Sequence, residues 1–159
     1  MNAAHTTLCL CIRDNSELLL AVKKVGFGAG KLNGAGGKIQ SGESTRTAAT
    51  RELSEEFGLT ADPSDLDEVA LLHFYFGGEL RVICTVFALR RWQGEPTETE
   101  EMGSFTWNEF SNLPFDQMWV GDPYWMPPVL NGEQIEASVY FNEEGSVLEE
   151  FVMTPLEPK

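Results

Sequence analysis

Residues 6–13 form an apolar, β-branched run, and a second such run covers residues 17–23. Asp14-Asn15 between them is a turn signal, so the pair reads as two strands joined tightly. Longer runs at 69–76 and 80–91 predict two more strands, and residues 104–107 a short one. Residues 134–141 and 146–152 flank Asn142-Glu143-Glu144-Gly145, a hairpin signal. Helical periodicity is confined to a few places. Residues 45–57 carry Ala49, Leu53 and Phe57 at i+4 spacing, with Ser44 placed to cap the start and Gly58 to close the end. A short helix is expected at 109–113, and a longer one from Asp122-Pro123, since Asp suits the N-cap and Pro the first turn. Strands dominate, which predicts a single α+β domain over residues 1–159 with a mixed sheet.

Between the second strand and the central helix lie Gly26, Gly28, Gly30, Gly34, Gly36 and Gly37. That density predicts a loop with unusual backbone angles, or one that approaches a ligand closely. Composition narrows the class of ligand. The 159 residues are 42% hydrophobic and 23% charged, as in globular proteins. Lys and Arg number 11 against 25 Asp and Glu, a formal charge of −14. Binding a nucleic acid polymer or an anionic membrane needs clustered cations, so both are excluded as general partners. A small anion needs only a local cation cluster or a metal. No apolar run reaches membrane-spanning length, and the first residues lack the basic and apolar regions of a signal peptide. Cys9, Cys11 and Cys84 do not make a disulfide framework. Cys9 and Cys11 are expected in a core, and the chain in a reducing, cytoplasmic compartment.

The helix at 45–57 also carries the candidate chemistry. At 100° per residue, Glu52, Glu55 and Glu56 fall within one arc of about 100°. Like charges at i+3 and i+4 destabilise a helix by roughly 0.2–0.5 kcal/mol each. Their place near the C-terminus adds an unfavourable dipole interaction. A divalent cation reverses both penalties, and an all-oxygen donor set suits Mg²⁺ or Mn²⁺.

The same segment reads Gly37, five residues, Glu43, seven residues, then Arg51-Glu52-Leu53-Ser54-Glu55-Glu56-Phe57-Gly58-Leu59. At every fixed position it resembles the Nudix box, here residues 37–59. The resemblance implies an α/β/α sandwich around a mixed sheet, and hydrolysis of a nucleoside diphosphate linked to another moiety. The stretch from Lys23 to Gly34 resembles the loop of MutT-like members that act on oxidised purine nucleoside triphosphates such as 8-oxo-dGTP. So does Pro114-Phe115-Asp116-Gln117-Met118-Trp119, followed by Asp122-Pro123-Tyr124-Trp125. The implied reaction yields monophosphate and pyrophosphate and cleans the nucleotide pool, on a small-molecule nucleotide, by a monomer.

That resemblance assigns roles. Glu52, Glu55, Glu56, the Gly36 carbonyl and Glu101 would hold Mg²⁺, with Glu100 as the rival of Glu101. Glu56 or Glu52 would activate water, and Arg51 would pair with Glu43 to join loop and helix. Lys23 and Lys38 are the cations nearest the phosphates. Ala35, Gly36 and Gly37 would line the site. Phe27, Phe74, Phe141 and Trp119 are candidate walls for a base, and Asn33 offers it both a donor and an acceptor. Val120, Gly121 and Asp122 complete the set. The related enzymes have two adjacent Asp residues where this chain has Gly121-Asp122, so one base-reading carboxylate is missing and narrower base selectivity is expected. Asp122 has a second reading as the cap of its helix. A different nucleoside diphosphate-linked substrate and a non-cleaving nucleotide sensor are the alternatives, and the intact box glutamates speak against the sensor.

Overall fold

The computed structural model describes residues 2–158. Its strands are β1 (Ala4–Arg13), β2 (Glu17–Lys23), β3 (Leu32–Asn33), β4 (Ala35–Lys38), β5 (Leu66–Phe76), β6 (Glu79–Leu89), β7 (Met102–Glu109), β8 (Ile135–Phe141) and β9 (Leu148–Pro155). Two α-helices, α1 (Thr45–Phe57) and α2 (Asp122–Leu130), complete it. The sheet runs β3-β2-β1-β6-β5-β8-β9, with β4 on β1 and β7 on β2. It is mixed: β1–β6 and β5–β8 are parallel and the other pairs antiparallel.

Strand alternation explains the layers. On β1, Cys9 and Cys11 join the core formed with Leu53 and Phe57 of α1, while Leu10 and Ile12 join Trp125, Met126 and Val129 of α2. On β2, Leu19 and Ala21 go one way and Leu18 and Leu20 the other. All four are buried in sequence because both faces of the sheet are covered. The architecture is therefore an α+β sandwich, sheet between helices. No helix among the described residues is long and apolar enough to cross a membrane.

β1 changes partner along its length. Thr6 to Cys9 pair with Lys38 to Ala35 of β4, and Ile12 and Arg13 pair with Leu18 and Glu17 of β2. The glycine-rich segment is thus not all loop, as expected, but contains β3 and β4. Its glycines divide by cause. Gly26, Gly28 and Gly30 take φ of 80°, 87° and 92°. Gly36 and Gly37 have no such angles; a Cβ at Gly36 would overlap the Thr7 carbonyl oxygen, and one at Gly37 would lie 2.5 Å from Glu52 Oε1.

The helix ends follow local chemistry. Ser44 Oγ accepts from Thr47 N, and Gly58 closes α1 at φ 70°. The expected short helix at 109–113 is a single 3₁₀ turn, Phe110–Asn112. Asp122 is the first residue of α2 and not its cap: Gly121 stands at the N-cap without a side-chain bond.

Candidate metal and nucleotide site

α1 lies on the sheet so that Glu52 and Glu56 are buried with the apolar side of the helix, Glu56 at 1% exposure. Glu101 arrives from the loop ahead of β7. One carboxylate oxygen each of Glu52, Glu56 and Glu101 lies within 4.8 Å of the others. Of the two candidates in that loop, Glu101 reaches the cluster; Glu100 is exposed. Glu55 stands outside it, with a half-exposed carboxylate accepting from Arg51 Nη1 at 3.2 Å.

Burial pushes the Glu56 carboxyl up to about 8; the Gly36 N–H, donating to Oε1 at 2.7 Å, and Lys23 oppose the rise, and Glu101 and Glu52 reinforce it. Lys23 Nζ is 4.0 Å from Glu56 Oε2. Glu52 is raised by burial as well, against Arg51. Two buried carboxyls that resist ionisation, with a third carboxylate converging on them, are a poor apo arrangement and a good cation site.

Arg51 organises the rim. Its Nε and Nη2 donate to the two Glu43 oxygens at 2.6 and 2.9 Å. Nη1 donates to Glu52 Oε1 at 2.8 Å, and Nη2 also to the Lys38 carbonyl at 3.1 Å. The fork matches a carboxylate in two bonds and holds Glu43 down at about 2. Loop, strand β4 and helix are joined through one guanidinium.

A cavity of about 280 Å³ extends from Glu56 into the sheet. Lys23, Phe27, Asn33, Gly36, Gly37, Lys38, Phe74, Trp119, Asp122 and Phe141 all line it. Ala35 does not: it pairs with Cys9 and packs toward α1. Val120 and Gly121 also lie off the lining. A Cβ on Gly121 would sit 3.1 Å from both Phe141 Cζ and Val139 Cγ1, so a side chain there requires those two to shift by a few tenths of an ångström.

Phe27 is 73% exposed, with its ring 4.9 Å from that of Trp119. Gly28 is needed twice there: for φ of 87°, and because a Cβ would lie 2.9 Å from Trp119 Cζ2. Lys31 Nζ is 5.4 Å from the Trp119 ring. Asp122 anchors the wall: Oδ2 accepts from Trp119 N at 3.1 Å and Oδ1 from Trp125 Nε1 at 3.0 Å. Burial raises its carboxyl to about 7, opposed by both indole-residue donors and Lys31.

Sequence reasoning missed Thr7, Leu8, Cys84 and Met102, which also line the cavity. Thr7 is the most informative. Its Oγ1 is buried and has no hydrogen-bond partner, the one such side-chain atom among the described residues. Buried hydroxyls are nearly always paired, so this one points to a bound partner. Nothing in the run Thr6-Thr7-Leu8 distinguishes it beforehand.

The NUDIX domain profile matches residues 3–128. The chain belongs to the Nudix family. An oxidized purine nucleoside triphosphate hydrolase of Danio rerio is 41% identical over 140 residues, 87% of this chain and 86% of the relative. One of Mus musculus is 37% identical over 149 residues, 93% and 94% of the two chains. Among solved structures, a MutT protein of Bacillus halodurans superposes with TM-score 0.80 at 21% identity, covering 98% and 99% of the two chains; that likeness speaks for the Nudix fold alone. In Nudix terms, Gly37 to Leu59 is the box, and its Glu52 and Glu56 with Glu101 suit a divalent cation: hard oxygen donors that converge, two of them buried.

Proposed function

We propose that this Nudix hydrolase cleaves oxidised purine nucleoside triphosphates such as 8-oxo-dGTP to the monophosphate and pyrophosphate, with Mg²⁺ as cofactor and Mn²⁺ as a substitute. One observation carries the reading: a single cavity walled by Phe27, Phe74, Trp119 and Phe141 opens onto the carboxylate cluster at Glu56. Relatives that bear this activity by name cover nearly the whole chain.

Glu52, Glu56, Glu101 and the Gly36 carbonyl are the residues that would hold the cation, with Glu55 adjoining on the solvent side. When bound, a divalent cation supplies neutralisation of charge on phosphate oxygens during in-line attack. The chain's own groups do the rest. Lys23 and Lys38 offer N–H donors to the phosphates. Glu56 or Glu52 takes a proton from the attacking water as general base. Trp119, Phe27, Phe74 and Phe141 exclude water and stack the base, worth about 1–3 kcal/mol. Asn33 and Asp122 meet its polar edge, and Thr7 Oγ1 gains the partner it lacks. The three cysteines are free and buried, which suits a reducing compartment such as the cytoplasm; the proposed form is a monomer.

The test is pyrophosphate release over a panel of 8-oxo-dGTP, 2-hydroxy-dATP, dGTP and ADP-ribose, on the parent and on Trp119→Ala. The parent should prefer an oxidised purine triphosphate. Trp119→Ala should lose roughly 5- to 150-fold in kcat/KM on nucleotides, the equivalent of that stacking energy, and little on base-free ribose triphosphate. Preference for ADP-ribose, or nucleotide binding without cleavage, overturns the proposal.

A further inference from the structure

Glu101 is the one carboxylate of the cluster that α1 does not supply. The segment before it, residues 94–101, has no regular structure and carries Glu95, Glu98, Glu100 and Glu101. Four like charges on an irregular loop repel one another and favour solvent. Yet the loop is held, and by identifiable groups.

Lys24 grips it from one side. Its backbone N–H donates to the Glu101 carbonyl at 2.7 Å. Its Nζ donates to the Thr99 carbonyl at 2.8 Å and stands 3.4 Å from Glu98 Oε1. It is the one cation paired with these glutamates among the described residues. Thr99 ties the loop from the other side. Its hydroxyl donates to the Glu56 carbonyl at 2.8 Å and accepts from Met102 N at 3.2 Å. Its own N–H donates to the Met102 carbonyl at 2.9 Å. The residue whose carboxylate enters the cluster on α1 is thus bonded, through its carbonyl, to the loop that delivers Glu101.

The surroundings are shaped for the grip. Gly103 is buried beneath it, and a Cβ there would overlap Glu98 Oε1 and lie 2.7 Å from Lys24 Cε. Ser104 then holds φ at 54°, a left-handed conformation that persists in a non-glycine residue only where its neighbours impose it.

We propose that Lys24 and Thr99 are positioning residues for the metal site, and that by fixing the loop they set its affinity for a divalent cation. The inference rests on the reading that Glu52, Glu56 and Glu101 bind such a cation. Lys24 is separate from its neighbour Lys23, which faces Glu56 and the cavity; Lys24 does not line the cavity, and its side chain is spent on the loop. Positioning of this kind acts on binding and not on the chemical step. Groups that orient metal ligands from outside typically change affinity 10- to 100-fold.

The experiment is a Mn²⁺ titration of substrate-free protein, followed by electron paramagnetic resonance, together with the Mg²⁺ dependence of kcat. Lys24→Met and Thr99→Val should each raise the Mn²⁺ Kd about tenfold. At saturating Mg²⁺, kcat and the nucleotide KM should stay within about twofold of the parent. Lys24→Arg should restore much of the affinity. Glu98→Gln should change it little, because that carboxylate is largely exposed and such pairs contribute little. Gly103→Ala keeps every charge and should still weaken Mn²⁺ binding, because a Cβ there lies 2.7 Å from Lys24 Cε and pushes that side chain off the Thr99 carbonyl; it carries the test if Lys24→Met fails to fold. Glu56→Gln is the control for the underlying reading: if it leaves the titration unchanged, the metal site itself is refuted. If Glu56→Gln abolishes binding while Lys24→Met and Thr99→Val bind Mn²⁺ like the parent, the positioning inference is refuted alone. A hundredfold loss of kcat at saturating metal with unchanged Kd would also overturn it, by moving Lys24 into the chemistry.

Discussion

Replacing Glu56 by Gln removes one ionisable group from the carboxylate cluster while keeping its shape and an oxygen to accept from Gly36 N. Its effect on stability can be worked out with sign. In the folded, metal-free protein the Glu56 carboxyl titrates near 8, against an ordinary value of 4.5. Between those two pH values the folded state holds a proton that the unfolded chain has lost. Stability therefore falls as pH rises from about 4.5 to about 8, and levels off above. At 1.36 kcal/mol per tenfold in proton affinity, the full displacement corresponds to roughly 5 kcal/mol. If relaxation of the loop leaves about 1–2 kcal/mol of that, Tm changes by about 2–8 °C for a chain of this size. Glu52, also raised by burial, adds in the same direction. The assay is thermal unfolding at a series of pH values from 5 to 9, with and without Mg²⁺. Metal-free parent should lose Tm across that window, and Glu56→Gln should show a distinctly shallower decline and exceed the parent at pH 8. Mg²⁺ at a hundredfold over Kd should stabilise the parent by about 2.7 kcal/mol, and Glu56→Gln should lose most of that gain. A variant whose metal-free Tm parallels the parent from pH 5 to 8, or which keeps the full Mg²⁺ response, would refute the reasoning.

Thr7→Val exchanges an unpartnered buried hydroxyl for a methyl group of the same shape. Since such a hydroxyl costs about 1–3 kcal/mol, the variant should be at least as stable as the parent by denaturant unfolding, and should raise the nucleotide KM. A loss of stability above about 1 kcal/mol would show that the hydroxyl has a partner within the protein. Gly121→Asp tests whether the missing acid can simply be put back. The first carbon of the new side chain meets Phe141 and Val139, so overpacking of about 1–3 kcal/mol is expected, with no gain on 2-hydroxy-dATP. A variant as stable as the parent that gains on that substrate would show that α2 yields more easily than its packing implies.

The carboxylate helix was legible before folding because everything that shapes it is local. Ser44, the i+4 apolar positions, Gly58 and the spacing of Glu52 and Glu56 depend on neighbours within a turn or two. The Arg51–Glu43 pair was expected from the resemblance to the Nudix box, and the short link to α1 makes it reachable. The central strands were legible because apolar runs bounded by turn residues have few other ways to bury themselves. Within the glycine-rich segment locality ran out: Gly26 and Gly28 serve backbone angles, while Gly36 and Gly37 serve contacts with Thr7 and Glu52, and composition does not separate the two.

Tertiary structure alone decided the remainder, because burial and partner choice are set by residues distant in the chain. Periodicity put Glu52, Glu55 and Glu56 in one arc, but the tilt of α1 on the sheet buries two of them and leaves Glu55 to solvent and Arg51. Glu101 joins them from a loop bonded to Lys24 and, through Thr99, to the Glu56 carbonyl. Asp122 reads as a helix cap from its neighbours, yet the fold turns it inward to hold two tryptophans. Thr7 is one threonine among several until β4, β6 and the cavity close around it and leave its hydroxyl without a partner. The sequence by itself determined which groups could do chemistry and which elements would carry them; the packing of α1, α2 and the acidic loop against the sheet decided which groups meet, since the low dielectric and close contacts that give them their reactivity exist only after those elements come together.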